Sequence, residues 1–348
     1  MEEIKLNKKD ILNFSYEDLK NDLQENLGFK KFRTDQILDW VYNKHVFHFE
    51  EMTNISKEAR EKLSENYKIS NSEIVDIQKS KQDDTTKFLF KLEDGALVES
   101  VILYYPNRIA ACISSQVGCA LKCTFCNTGK LGFTRNMTGG EIVSQVLTIE
   151  QYLNRRINNI VYMGMGEPLL NYDNVVNSIL NLNDKKMRNL GARHITVSTS
   201  GITDKIEELG NLDIEIRLSV SLHASNNVKR DKLMPINTKH PIEELMQSCR
   251  IYQEKTNKRV TFEYIAIKGF NDSKEDAFKL AELIGGLKSM VNIIPVNPNP
   301  AGYEPPKREY LKQFANILKD KGIDTVIRAE KGTDIDAACG QLKGKHVR

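Results

Sequence analysis

The spacing of apolar residues changes character twice along the chain. Up to about residue 70 it is that of short helices. TDQILDWVYNK sets Ile37, Leu38 and Val41 on one face, with Thr34 placed to cap the helix and Trp40 assigned to the core. Residues 72–103 read instead as strands, SEIVDIQKS, TKFLFKLEDG and ALVESVILYY, with EDG as the turn of a hairpin. From about 108 onward, apolar runs of strand length (IAACIS, NIVYMG, HITVSTS, IEIRLSVSL, VTFEYIAI, VNIIPV, TVIRA) alternate with stretches of helical spacing. In the last of these, REYLKQFANILKD, a single stripe carries Leu311, Phe314, Ile317 and Leu318. Strands alternating with helices predict βαβ units on a parallel sheet. Six or seven such units suit an α/β barrel or partial barrel, whose chemistry sits at the C-terminal ends of the strands.

The length of 348 residues exceeds what one core usually sustains, so a main domain with a smaller companion is expected. The divisions expected are a helical accessory unit over 1–70, a β-hairpin extension over 71–104, a barrel over 105–338 and a C-terminal segment over 339–348. Apolar content of 40% and charged content of 28% are those of an ordinary globular protein. The start, MEEIKLNKKDILNF, has no apolar run after a basic stretch, and nowhere do roughly 18 apolar residues run together. A cytoplasmic protein without a membrane span is therefore expected, in a reducing compartment where clustered cysteines mean metal or redox chemistry more often than disulfides.

Lys+Arg 50 against Asp+Glu 47 leaves only +3, which neither requires nor excludes a nucleic-acid partner. Local basic groups occur at Lys30, Lys31 and Arg33, at Arg155 and Arg156, at Lys185, Lys186, Arg188 and Arg193, and at Lys229, Arg230 and Lys232. For any one of these clusters, solvated helix faces and loops are the favoured explanation over a phosphate contact.

Four of the six cysteines fall inside the fifteen residues from Cys112 to Cys126. Three of them, Cys119, Cys123 and Cys126, form C-x3-C-x2-C, a spacing expected by chance only about 0.002 times in such a chain. A structural zinc wants four closed ligands, and no fourth Cys or His is near in sequence. Three thiolates on a four-iron cluster instead leave one iron open to a ligand. Gly118 and Gly129 relieve the backbone at either end of the loop, and Phe125 is placed to shield the cluster.

Loops that follow the later strands carry polar groups. MGMGEP offers Gly164, Gly166 and Glu167; HITVSTSG offers Ser198; RLSVSLHA offers Ser221 and His223; IIPVNPNP offers Asn297. Any one of them has a bland explanation as a cap, a turn or a satisfied histidine. Thr138 and Glu141 fit a capping box that opens the first barrel helix.

CALKCTFC after a strand resembles the signature of the radical S-adenosylmethionine (radical SAM) superfamily. CISSQVGCALKCTFC, GFTRN, MGMGEPLLN, VSTSG, SVSLHA and TDIDAACGQL together closely resemble the RlmN/Cfr family of RNA adenine methyltransferases. FRTDQILDWVY resembles that family's accessory domain. The resemblance implies a partial (β/α)6 barrel with a [4Fe-4S] cluster on Cys119, Cys123 and Cys126. It implies S-adenosylmethionine, two molecules per turnover, held by Gly166, Glu167, Ser198, Ser221, Leu222, His223 and Asn297. Cys339 matches the cysteine that carries the methyl group before a radical step joins it to the base. Cys112 matches the cysteine that resolves the resulting thioether, leaving a transient disulfide with Cys339. Glu99 matches the family's proton acceptor. On residue type alone, small buried thiols would explain Cys112 and Cys339, and an exposed strand glutamate would explain Glu99. Cys249, in MQSCRIY, has no motif around it and reads as structural.

Chemistry on a base requires it unstacked, which favours a loop of RNA over a duplex. By resemblance the substrates are an adenosine in the peptidyl-transferase loop of 23S rRNA and the adenosine 3′ of the anticodon in tRNA. The electron source would be flavodoxin or ferredoxin, and a monomer is expected. Lys122 stands where the family's C8-methylating branch tends to have glycine, so CALKC and GFTRN resemble the C2 branch. The competing readings are a C8 methyltransferase, a radical SAM enzyme with another substrate, and a non-catalytic iron–sulfur or zinc module that binds RNA.

Overall fold

The computed structural model describes residues 8–297, 299, 301–338 and 340–342. Cys339 lies outside the described residues. The N-terminal unit packs three helices, α1 (Tyr16–Leu27), α2 (Lys31–Tyr42) and α3 (Lys57–Asn66), around Leu19, Leu23, Ile37, Leu38, Val41, Tyr42 and Leu63. Ser15 caps α1 by accepting from the Asp18 amide, and Gly28 ends it in the left-handed conformation. Thr34 does not cap α2. That helix starts at Lys31, because Lys31, Phe32 and Arg33 contain no breaker, and Thr34 is buried one turn inside it. Trp40 is only half-buried; it packs at the edge of the core, with the Lys44 ammonium over its ring.

Three antiparallel strands follow, β1 (Glu73–Lys79), β2 (Thr86–Lys91) and β3 (Leu97–Tyr105). They do not stand apart as a separate hairpin. β3 pairs with β4 (Arg108–Cys112), setting Val101 opposite Cys112, and so extends the main sheet. Beyond β4 come β5 (Asn159–Tyr162), β6 (Ile195–Thr199), β7 (Arg217–Ser221), β8 (Val260–Ala266), β9 (Ser289–Pro295) and β10 (Asp324–Ile327). Strands β4 to β10 are mutually parallel, and each neighbours its predecessor, so six crossovers join seven strands.

The crossovers hold the helices α4 (Asn127–Leu131), α5 (Gly139–Leu153), α6 (Tyr172–Asn183), α7 (Thr203–Leu209), α8 (Asn227–Leu233), α9 (Ile242–Thr256), α10 (Lys274–Leu283) and α11 (Arg308–Asp320). The Thr138–Glu141 capping box opens α5, contributing about 1 kcal/mol. In α11, Leu311, Phe314 and Leu318 are buried against the sheet and Ile317 packs at the core's margin. Cys249 is fully buried in α9 among core side chains. Among the described residues, no helix is long and apolar enough to cross a membrane.

The N-terminal unit is seated on α5 and α6 by polar contacts. The amides of Asn181 and Asn177 donate to the carbonyls of Leu12 and Asn13, and the Gly140 N–H donates to Asn13 Oδ1 at 2.6 Å. Beside them Glu150 is fully buried. Its carboxylate accepts from Arg188 Nε at 2.9 and 3.0 Å and from the Ile157 N–H at 2.7 Å, and it meets His45 Nε2 at 3.2 Å. Burial alone would raise this carboxyl; the bonds from His45 and Arg188 outweigh it and hold the group below the usual glutamate range. Arg188 is therefore a buried partner and no part of a solvated basic cluster.

Candidate active site

The loops at the C-terminal ends of the parallel strands converge on one cavity of about 530 Å³. Cys112 reaches it from the end of β4, Gly164, Gly166 and Glu167 from the loop after β5, Ser198 from β6, Ser221 and His223 from β7, and Asn297 from the loop after β9. Cys119, Cys123 and Cys126 form part of the same wall. Four strand-end loops that were separately weak in the sequence thus share one space with the thiol triplet.

The cluster loop is shaped by close backbone approaches. Gly118 has φ +77°, and a Cβ there would lie 1.9 Å from the Gly132 carbonyl oxygen, so only glycine allows the ribbon between 116–118 and 133–136 to close behind Cys119. At the opposite rim Gly166 has φ +99°, and a Cβ there would collide with the Gln116 side chain at 2.5 Å. That contact brings Gln116 Oε1 to the Glu167 amide, which donates to it at 2.9 Å.

The electrostatics suit a cationic guest. Burial pushes the Cys119 thiol up to about 12, with the Glu167 and Cys126 charges adding to the rise. The Cys123 thiol is raised further, by burial first and then by Cys126, Cys119 and Glu167. Three thiols that oppose one another's ionisation become thiolates when metal charge lies between them. No three His, Cys, Asp or Glu side chains among the described residues close around a point as a single ion requires. A lone zinc would draw its sulfurs to about 3.8 Å of one another, given Zn–S bonds of about 2.3 Å. The larger iron–sulfur cluster fits this donor set better.

Glu167 is 2% exposed, and burial raises its carboxyl above the usual range. Its oxygens accept from neutral donors, the Leu169 amide at 3.1 Å, the Ser200 amide at 2.7 Å and the side chains of Thr199 and Ser200, which supply no positive charge and leave room for a ligand's ammonium group. His223 is buried with φ +59°, and its Nδ1 accepts from the Ile265 amide at 3.1 Å, so the tautomer carries its proton on Nε2. Burial, with help from Arg230, lowers this imidazole to about 3, so it is neutral at physiological pH. The Phe125 ring stands edge-on to it at 5.0 Å, covering the cluster loop from within.

Two of the residues expected at the site do not line the cavity. Leu222 is fully buried, with its N–H on the Glu263 carbonyl. Glu99 is 1% exposed, which removes the reading as an exposed strand glutamate, and it pairs with the equally buried Lys87 ammonium at 3.2 Å. Strand register places Glu99, Lys87, Val101 and Cys112 on one face. Cys339 lies outside the described residues, but its neighbours Ala338 and Gly340 both line the cavity. The Gly340 carbonyl accepts from the Asn127 amide at 2.7 Å, next to Cys126. Upstream, the Gly332 amide donates to Asp83 Oδ2 at 2.9 Å and Asp334 Oδ2 accepts from the Lys81 amide at 3.0 Å. The last strand's outgoing chain is thereby strapped to the β1–β2 turn.

Sequence reasoning missed three contributors. Arg230 belongs to an apparent basic cluster but is fully buried, and its guanidinium donates to the carbonyls of Ser200, Ser221 and Leu222, tying together the loops after β6 and β7. Gln116 supports Glu167 as described. Glu263 projects from β8 into the cavity wall, and a lone carboxylate inside VTFEYIAI was its only signal.

Comparison with known proteins agrees with this geometry. Residues 113–281 match the radical SAM superfamily, and residues 9–69 match the ribosomal RNA large subunit methyltransferase N-terminal domain. The chain is 60% identical to the probable dual-specificity RNA methyltransferase RlmN of Petrotoga mobilis, over 98% of both chains. It is 53% identical to the protein of that name from Thermotoga maritima, over 98% of this chain and 99% of the other. The crystal structure of a radical SAM methyltransferase from Sphaerobacter thermophilus superposes with a TM-score of 0.93 at 39% identity, covering 97% of this chain and all of that one. A chain with both family domains, such relatives along its whole length and a thiol triplet facing a nucleotide-sized cavity belongs to the RlmN family of radical SAM RNA methyltransferases.

Proposed function

We propose that this enzyme methylates carbon 2 of one adenosine in 23S rRNA and of the adenosine 3′ of the anticodon in tRNA. The observation that carries the reading is the single cavity lined by Cys112, Cys119, Cys123 and Cys126 and by both neighbours of Cys339. Carbon 2 of adenine lies between two ring nitrogens and is electron-poor, so it does not attack a sulfonium methyl group. The bound [4Fe-4S] cluster and S-adenosylmethionine supply one-electron chemistry that overcomes this, and a second S-adenosylmethionine supplies the methyl group.

The chain's own residues divide the remaining work. Cys119, Cys123 and Cys126 hold the cluster as thiolates. Gly166 admits the cofactor close to the backbone, Glu167 takes its ammonium group, and Ser198, Ser221, His223 and Asn297 hold its nucleoside end, with Leu222 contributing backbone only. Neutral His223 serves as an Nε2–H donor, because an imidazole lowered to about 3 carries no exchangeable charge at neutral pH. Cys339 carries the methyl group and Cys112 releases the product from it, after which reducing equivalents restore both thiols. Glu99 accepts the proton lost from the base, with the Lys87 ammonium beside it at 3.2 Å. Its burial means that the RNA must reach the face it shares with Cys112 for the transfer to occur within about 3 Å. A low-potential flavodoxin or ferredoxin delivers the electrons, and the enzyme works as a cytoplasmic monomer.

The test is the mass of the tryptic peptide GTDIDAACGQLK from protein made with iron supplied. A gain of one methylene equivalent localised to Cys339 is expected. An unmodified Cys339 in protein with an intact cluster would overturn the carrier assignment.

A further inference from the structure

Glu263 has no place in the mechanism above, yet its surroundings are unusual. Its neighbours along β8, Phe262, Tyr264 and Ile265, are apolar and buried, and the glutamate itself is 4% exposed. One carboxylate oxygen is well served: Oε1 accepts from Ser219 Oγ at 2.7 Å and from Asn292 Nδ2 at 3.0 Å. Oε2 is buried and has no hydrogen-bond partner. A carboxylate oxygen left so in an apolar interior is costly unless a ligand completes it.

Register gives the location. Glu263 pairs with Ser221 on β7 and with Asn292 on β9, so it stands level with a residue expected to hold the cofactor. It lines the same cavity. The methionyl ammonium belongs at Glu167, across the cavity on the loop after β5, and the sulfonium has no N–H or O–H to give. The donors left over on the cofactor's nucleoside end are the sugar hydroxyls and the adenine amino group, and a hydroxyl pair suits a single free oxygen beside Ser221.

We propose that Glu263 is a cofactor-binding residue whose Oε2 accepts a hydrogen bond from a sugar hydroxyl of S-adenosylmethionine. The inference rests on the reading of the cavity as the S-adenosylmethionine site.

The experiment measures binding to the cluster-loaded enzyme by equilibrium dialysis, using S-adenosylmethionine and its 2′-deoxy and 3′-deoxy analogues. The wild type should prefer S-adenosylmethionine over at least one analogue by about tenfold or more, as charge-assisted hydrogen bonds do. Glu263→Met, which keeps bulk and removes the acceptor, should bind all three alike, with affinity close to that of the wild type for the disfavoured analogue. Glu263→Gln, which keeps the bonds to Ser219 and Asn292, should show a reduced preference, and it serves if the methionine variant does not fold. Equal preference in wild type and variants would overturn the proposal and leave Glu263 a structural residue. A uniform loss of affinity for all three ligands would also overturn it, since the residue would then act through the fold. A wild type with an intact cluster that binds no S-adenosylmethionine would instead overturn the cofactor reading beneath it.

Discussion

Glu150 and Glu167 are both buried glutamates on the parallel barrel, and they do opposite things. Glu150, at the seam with the N-terminal unit, is saturated by Arg188, His45 and a backbone amide, and its carboxyl is held below the ordinary range. Glu167, on the cavity rim, accepts from neutral donors, backbone amides and the side chains of Thr199 and Ser200, and burial raises its carboxyl. A saturated buried charge has its partner built into the fold. An incompletely met one marks where the fold leaves space for something that binds. The seam and the cavity are thus built from the same residue type, at similar burial, with opposite accounting of hydrogen bonds.

The comparison predicts its sharpest contrast at the thiols. Cys123→Ala should leave the seam and the fold in place while abolishing cluster incorporation and RNA methylation, read by iron content and by visible absorbance. Iron retained at wild-type levels would break the assignment of the cluster loop.

On the seam side, Arg188→Met strands a buried carboxylate and should destabilise the protein by about 3–5 kcal/mol in denaturant unfolding. Binding of S-adenosylmethionine per folded molecule should stay unchanged. A loss below about 1 kcal/mol would show that the seam is far weaker than its geometry.

The two glutamates should also differ in sign. Glu150 has a lowered folded pKa, so its contribution is present above the ordinary glutamate pKa and is lost as pH falls through the folded value. Glu167 has a raised folded pKa, so the ligand-free protein is favoured at acid pH and loses that advantage as pH rises through the folded value. At neutral pH, Glu150→Gln should therefore lower the melting temperature. In Glu167→Gln the loss of stability that cofactor-free protein suffers between acid and neutral pH should disappear, together with the stabilisation conferred by S-adenosylmethionine. A pH dependence of stability altered in the same direction by the two variants would refute the distinction.

The smallest effect expected is at Thr138. Thr138→Ala should cost about 1 kcal/mol in thermal unfolding through loss of the α5 cap, with no change in cofactor affinity.

The parts legible in the sequence were those carried by period and spacing. Runs such as NIVYMG and VNIIPV became parallel strands because both faces of the sheet are covered, so the whole run is apolar. The C-x3-C-x2-C spacing and the strand-end loops marked the cavity for the same reason, since chemistry collects at the C-terminal ends of parallel strands. What stayed hidden depends on distance in space rather than in sequence. Arg230 and Arg188 looked like surface charge because nothing local shows that carbonyls or a carboxylate will surround them. Glu99 and Lys87 sit 12 positions apart in unremarkable strands, and only the register of β2 and β3 brings them together. Thr34 failed as a cap because local propensity marks possible starts, and the end of α1 at Gly28 determined where α2 could begin.

The most direct test of the central claim is to incubate cluster-loaded enzyme, S-adenosylmethionine and a reducing system with unmodified 23S rRNA and with tRNA, then digest and weigh the nucleosides. The account predicts 2-methyladenosine in both RNAs, dependent on Cys339 and on the cluster. Only 8-methyladenosine, or no methylated adenosine from an enzyme that still cleaves S-adenosylmethionine, would contradict it.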